Sequence, residues 1–249
     1  MPAANRETLC FLHGWGFDGR VLEKFMEGFM PEWNVKALAL PGYDGAAPAA
    51  RGMEDVARLL APGVPDHAVL IGWSLGGMIG IRIAAMKPVR KLIILAGAPC
   101  FVNKHNWPHG VPAELVEGLM QRIHENPAAA LHEFAMLSSK GDGNPRATYR
   151  TLSLLLQQSA VRTEALRDGL EMLRDADLRT EFSGLSCRVG VILAENDRLF
   201  PAAGARAMLS LNPGLELRTV AGCGHALFIS APEQSRQALL ALLASAPLS

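Results

Sequence analysis

Six short runs of β-favouring residues recur along the chain, at Thr8 to Leu12, Val35 to Leu40, Ala68 to Ile71, Lys91 to Ala96, Arg188 to Ala194 and Leu215 to Val220. They are apolar almost without interruption, which suits strands buried on both faces better than strands with one wet face. Segments with helical spacing separate them, at about Arg20 to Phe29, Met53 to Leu60, Leu75 to Lys87, Ala202 to Leu211 and Pro232 to Ala244. Parallel strands need long crossovers, and helices supply them. The alternation therefore predicts an α/β fold, a doubly wound, mostly parallel sheet with right-handed crossovers. Ligands of such sheets bind beyond the carboxyl ends of the strands, so the residues just after each run are where chemistry is to be sought.

From about Phe101 to Phe182 the strand pattern stops and helical spacing takes over, as in Leu115, Leu119, Met120 and Ile123, and again in Leu152, Leu155 and Leu156. The expected organisation is a core of residues 1–100 and 183–249 interrupted by a helical cap of residues 101–182. An insertion after the fourth strand lies above the carboxyl edge, where it is placed to shape a pocket. The 249 residues suffice for one such domain with a sizeable buried core.

A hydrophobic share of 49% with 19% charged residues fits an ordinary globular enzyme. The formal net charge is zero, which argues against nucleic acid as the main partner, since phosphate binding needs a positive field. The segment Met1-Pro-Ala-Ala-Asn-Arg-Glu7 has no apolar signal core, and no stretch of eighteen apolar residues occurs, so a cytoplasmic protein with no membrane partner is expected, as a monomer. Cys10, Cys100, Cys187 and Cys223 lack metal-site or C-x-x-C spacing and read as reduced thiols; no metal and no cofactor is expected. Cys223, two residues from His225, reads as a packing residue rather than a nucleophile.

Gly72-Trp73-Ser74-Leu75-Gly76 follows the third run and opens the helical segment after it. That context predicts a nucleophile elbow, a tight turn in which glycines allow close backbone approach and the serine hydroxyl is lifted clear of the sheet. A serine needs a base titrating near neutrality, and the base needs an acid to hold its tautomer. His225, in Gly222-Cys-Gly-His225, and Asp197, in Glu195-Asn-Asp197, both lie just past strands that should point the same way as the strand before Ser74. Glu195 and Asp44 are rival acids, but Asp197 is better placed before Pro201. The order Ser, Asp, His is the one expected when a triad is built on a hydrolase sheet. His13-Gly14-Trp15-Gly16 follows the first run, where a backbone N–H is needed for an oxyanion; the N–H groups of Trp15 and Leu75 are the candidate donors. His13 itself reads as structural, and His67, His105, His109, His124 and His132 as solvated or structural.

With Ala98-Pro-Cys-Phe101, Trp107-Pro108, Gly169-Leu-Glu-Met-Leu173, Asp177-Leu-Arg179 and Gly224-His-Ala-Leu-Phe-Ile-Ser230 added, the chain resembles the α/β-hydrolase family and, within it, the methyl ester esterases that act on pimeloyl-acyl carrier protein in biotin synthesis. The resemblance implies a serine carboxylesterase with the triad Ser74, Asp197 and His225. Trp15 and Leu75 would serve the substrate carbonyl, and Phe134, Ala135, Met136, Leu137 and Ser138 would line the acyl chain. It also implies basic residues on the cap that hold an acidic carrier protein. The stretch Asn126 to Glu133 offers little charge for that; Lys140, Arg146, Arg150 and Arg162 lie beyond it, against only Asp142. The antiparallel hairpin common at the start of this family is expected to be absent or reduced, because the first run begins at Thr8. Two alternatives stay open: a short-chain carboxylesterase acting on free esters, and a hydrolase-fold binding protein without turnover.

Overall fold

The computed structural model describes residues 6–46 and 51–245. Its centre is a sheet of β1 (Thr8–Leu12), β2 (Asn34–Leu38), β3 (Val69–Trp73), β4 (Lys91–Leu95), β5 (Arg188–Ala194) and β6 (Glu216–Val220). The spatial order is β2-β1-β3-β4-β5-β6, and every neighbouring pair is parallel. The strands nearly coincide with the six predicted runs. The helices are α1 (Arg20–Glu27), α2 (Gly52–Leu60), α3 (Leu75–Met86), α4 (Ala113–Glu125), α5 (Pro127–Ser139), α6 (Pro145–Gln158), α7 (Thr163–Asp175), α8 (Arg179–Ser183), α9 (Ala202–Leu211), α10 (Leu227–Ser230) and α11 (Pro232–Ala244). None among the described residues is long and apolar enough to cross a membrane.

Burial follows position in the sheet. All residues of the central strands β3 and β4 are buried. Each fully buried Leu or Ile there contributes about 1.5–3 kcal/mol before its ordering entropy is counted. The edge strands β2 and β6 are largely open, and Lys36 and Arg218 face solvent from them. Apolar continuity thus overstates their burial, and the charges discourage pairing of the edge with another chain. No antiparallel strand pair extends the sheet among the described residues; residues 1–5, where the question of a preceding hairpin falls, lie outside them.

The chain leaves β1 towards β2 and returns on the other side as β3, so the strand order reverses between β1 and β3. A crevice opens at the carboxyl ends of two such strands. The loop His13–Gly16 leaves β1 there, and Ser74 leaves β3.

Helices α4 to α8 fill the interval between β4 and β5. Two of them start on the same local signal, an asparagine cap followed by proline at the first helical position. The Asn126 side chain accepts from the Ala129 N–H (3.1 Å) and the Asn144 side chain from the Ala147 N–H (3.2 Å). Each cap satisfies an otherwise orphaned donor, worth about 1 kcal/mol.

Candidate active site

At the elbow, packing excludes side chains on both flanks. A β-carbon on Gly72 would lie 2.3 Å from the Gly76 carbonyl oxygen, and one on Gly76 would lie 2.5 Å from the carbonyl oxygens of Leu12 and His13. Between them Ser74 adopts φ 53 and ψ −117, a costly conformation for a residue with a side chain. Backbone bonds hold it there: its N–H donates to the Leu95 carbonyl (3.0 Å), and its carbonyl accepts from Gly77 (2.9 Å). The N–H groups of Leu75, the first residue of α3, and of Trp15 donate to no protein group among the described residues. Both are therefore free of protein acceptors, and that of Leu75 stands at a helix N-terminus, where negative charge is favoured.

His225 Nδ1 donates to Asp197 Oδ2 at 2.8 Å, with both side chains buried. The other carboxylate oxygen, Oδ1, accepts the N–H groups of Leu199 (2.8 Å) and Phe200 (2.9 Å), which fixes the acid from behind. That arrangement leaves Nε2 as the unprotonated nitrogen, and it is buried with no hydrogen-bond partner. The Trp73 indole N–H donates to the His225 carbonyl (3.1 Å), and the imidazole packs against the rings of Trp73 (5.4 Å) and Phe134 (6.3 Å). His225 is thereby tied to the residue immediately before Ser74. The Ser74 hydroxyl makes no hydrogen bond to Nε2; such bonds are often loose before a substrate is bound.

The rival acids sit elsewhere. Glu195 is exposed and accepts the Gly222 N–H (2.9 Å), and Asp44 is exposed. Cys223 is buried, with its thiol pushed up to about 12 by desolvation and the nearby Asp142 carboxylate, so it is no nucleophile at neutral pH. His13 is a latch: Nε2 accepts the Leu40 N–H (3.1 Å) and Nδ1 faces the Gly14 carbonyl (3.0 Å). Complete burial pushes its pKa down to about 4, so it is neutral at physiological pH. Beside it the Tyr43 hydroxyl accepts the Gly16 N–H (3.2 Å), a support for the Trp15 loop that no sequence motif announces.

The Trp15 side chain makes contacts that its backbone position does not reveal. Its indole N–H donates to the Leu166 carbonyl of α7 (2.7 Å), and its ring meets Phe134 of α5 edge-on at 4.8 Å. The loop after β1 is thus bolted to the inserted helices. Residues 134–138 do not share one face, because consecutive helix positions rotate by about 100°. Phe134, Ala135 and Ser138 are buried, Leu137 is half-buried and Met136 is 51% exposed.

Lys140, Arg146 and Arg150 are exposed and form no ion pair among the described residues, whereas Arg162 lies near Glu164 (3.7 Å). Asp142, read from sequence as their counter-charge, is instead buried and accepts the Gly224 N–H. Gly141 before it lets the turn press against the Asn196 backbone, a context that spacing alone does not reveal. A void of ≈ 20 Å³ lies beside Leu75, walled by Tyr43, Gly169 and Met172, with room for about one water.

Residues 11–238 match the model of the Alpha/beta hydrolase family. The chain belongs to that family. This hydrolase is 34% identical over 237 residues to the pimeloyl-(acyl-carrier protein) methyl ester esterase of Aromatoleum aromaticum, with 92% of this chain and 95% of that protein covered. It is also 34% identical to the enzyme of the same name from Xylella fastidiosa, with 96% of each covered. Among solved structures it superposes on an esterase from Exiguobacterium antarcticum with a TM-score of 0.82 at 20% identity, over 96% of this chain and 92% of that one, a likeness of fold.

Proposed function

We propose that this hydrolase is a serine carboxylesterase that cleaves the methyl ester of pimeloyl-acyl carrier protein, the reaction for which its relatives are named. The observation that carries the chemistry is the buried Asp197–His225 pair, whose free Nε2 belongs to a histidine anchored on Trp73, next to the strained Ser74. His225 takes the Ser74 proton as Oγ attacks the ester carbonyl, and the oxyanion is held by the N–H groups of Trp15 and Leu75. Collapse of the tetrahedral intermediate expels methanol with the proton from His225, leaving the acyl group on Ser74. Water, deprotonated by the same Nε2, then releases the carboxylate and restores the enzyme. Removing one oxyanion donor of this kind costs about 3–4 kcal/mol of transition-state stabilisation.

In this reading residues 101–182 form a cap, and Phe134 and Ser138 face the acyl chain. The exposed cations Lys140, Arg146 and Arg150 meet the acidic carrier protein. The reading is tested by measuring kcat/KM on pimeloyl-carrier-protein methyl ester and on a chromogenic short-chain ester, together with rescue of a biotin-requiring strain lacking its own esterase. A strong preference for the carrier-bound ester with rescue is expected. Vigorous cleavage of the free ester, with neither carrier-bound turnover nor rescue, would establish a general carboxylesterase instead. Turnover of neither would leave a binding protein.

A further inference from the structure

The turn between α5 and α6 makes contacts that the acyl-transfer steps do not use. Asp142 is buried; Oδ1 accepts the N–H of Gly224, the residue before His225, and Oδ2 is buried without a partner. Three more contacts press the same turn onto the loops that carry the acid and the base. The Gly141 carbonyl accepts from the side-chain amide of Asn196 (3.0 Å), the residue before Asp197. The Gly143 N–H donates to the Gly222 carbonyl (3.0 Å). The Lys140 carbonyl oxygen lies 2.4 Å from where a β-carbon on Gly224 would stand. One turn of the inserted helices therefore touches the residue before the acid and the residue before the base.

A buried carboxylate with one hydrogen bond and no cation is a poor stabilising device, because desolvation offsets much of what the bond contributes. Its bond to a backbone N–H is nevertheless stiff, since an ionised acceptor binds about twice as strongly as a neutral one. We infer that Asp142 is a positioning residue: by fixing the Gly224 N–H it sets the angle at which His225 presents Nε2 to Ser74. This rests on the acyl-transfer reading of Ser74, Asp197 and His225. It couples the placement of the inserted helices to the alignment of the base.

The test compares wild type, Asp142→Ala and Asp142→Asn on a chromogenic short-chain ester, and records the low-field proton resonance of the Asp197–His225 hydrogen bond in each. Asp142→Ala is expected to lower kcat about 10- to 100-fold with KM within about twofold, as a misaimed catalytic group does, and to shift the resonance. Asp142→Asn keeps an acceptor for Gly224 and should restore kcat to within about threefold of wild type, with the resonance in place. Wild-type kcat in folded Asp142→Ala would overturn the proposal. So would an Asp142→Asn enzyme that loses kcat about tenfold or more, a result readable even if the alanine variant does not fold. A wild-type enzyme that cleaves no ester would defeat the esterase reading alone, and the resonance would still decide whether Asp142 aligns the pair.

Discussion

The elbow between β3 and α3 and the stretch from α5 to α6 both border His225, yet they are specified in opposite ways. At the elbow the specifying residues are neighbours in sequence: Gly72, Ser74 and Gly76 lie within five positions, and no β-carbon fits on either glycine. Around α5 and α6 the decisive contacts join residues far apart in sequence, as in Trp15 with Phe134, Phe134 with His225, and Asp142 with Gly224. The contrast separates two tasks. In the proposed mechanism acyl transfer rests on strained backbone that only a few short sequences can adopt, and the choice of ester on packing that many sequences can vary.

Short of removing Ser74 itself, the largest effect should come from the acid paired with His225 beside the elbow. Asp197→Asn preserves shape but lets Nδ1 lose its anionic acceptor, and kcat is expected to fall by about 10⁴-fold on any ester, as in other triads. A fall of less than tenfold would mean that the acid of the pair is not the working one.

Phe134→Ala probes the other half. Its ring is buried among Trp15, Phe17 and His225, so unfolding free energy should drop by about 3–5 kcal/mol. Met136→Ala, on the exposed side of the same helix, should stay within about 0.5 kcal/mol. Equal losses in denaturant titration would show that α5 is not seated by Phe134.

His13 links pH to stability through the loop after β1. Its folded pKa of about 4 lies below the unfolded value near 6.5, so the unfolded chain binds the proton first as pH falls. Stability from this residue is complete above pH 6.5 and declines as pH drops towards 4, by up to about 3 kcal/mol. His13→Asn should remove about 5–10 °C of the drop in Tm between pH 7 and 4.5. An unchanged drop in the variant would assign the acid sensitivity elsewhere.

The smallest effect belongs to the surface. Reversing Lys140, Arg146 and Arg150 to glutamate should lower kcat/KM on the carrier-bound ester by about tenfold at low salt, with the deficit shrinking as salt rises. An equal deficit on a free ester would show that these cations do not recognise the carrier.

Strands β1, β3, β4 and β5 were legible because each is a short, almost wholly apolar run, and the elbow was legible because its glycines are tied to one backbone shape. The choice of Asp197 over Glu195 as the partner of His225 followed from its place at the turn before Pro201, and the N–H groups of Leu199 and Phe200 in that turn hold its carboxylate towards the imidazole. The edge position of β2 and β6 was hidden, since apolar content does not report which neighbour is missing. The short helix α10, Leu227–Ser230, is only four residues and carries no periodic signal. Asp142 was misread as a surface charge because nothing in Gly141-Asp142-Gly143 reveals the loop pressed against it. The same holds for the Trp15 indole and the Tyr43 hydroxyl, whose partners lie on other elements.

The most direct test of the acyl-transfer site is to quench the enzyme during turnover of pimeloyl-carrier-protein methyl ester and locate the bound acyl group by peptide mass spectrometry. Wild type is expected to carry on Ser74 a pimeloyl group still joined at its other end to the carrier protein, with no adduct and a kcat reduced by about 10⁵- to 10⁶-fold in Ser74→Ala. An adduct on another residue, or undiminished methanol release from the alanine variant, would contradict it.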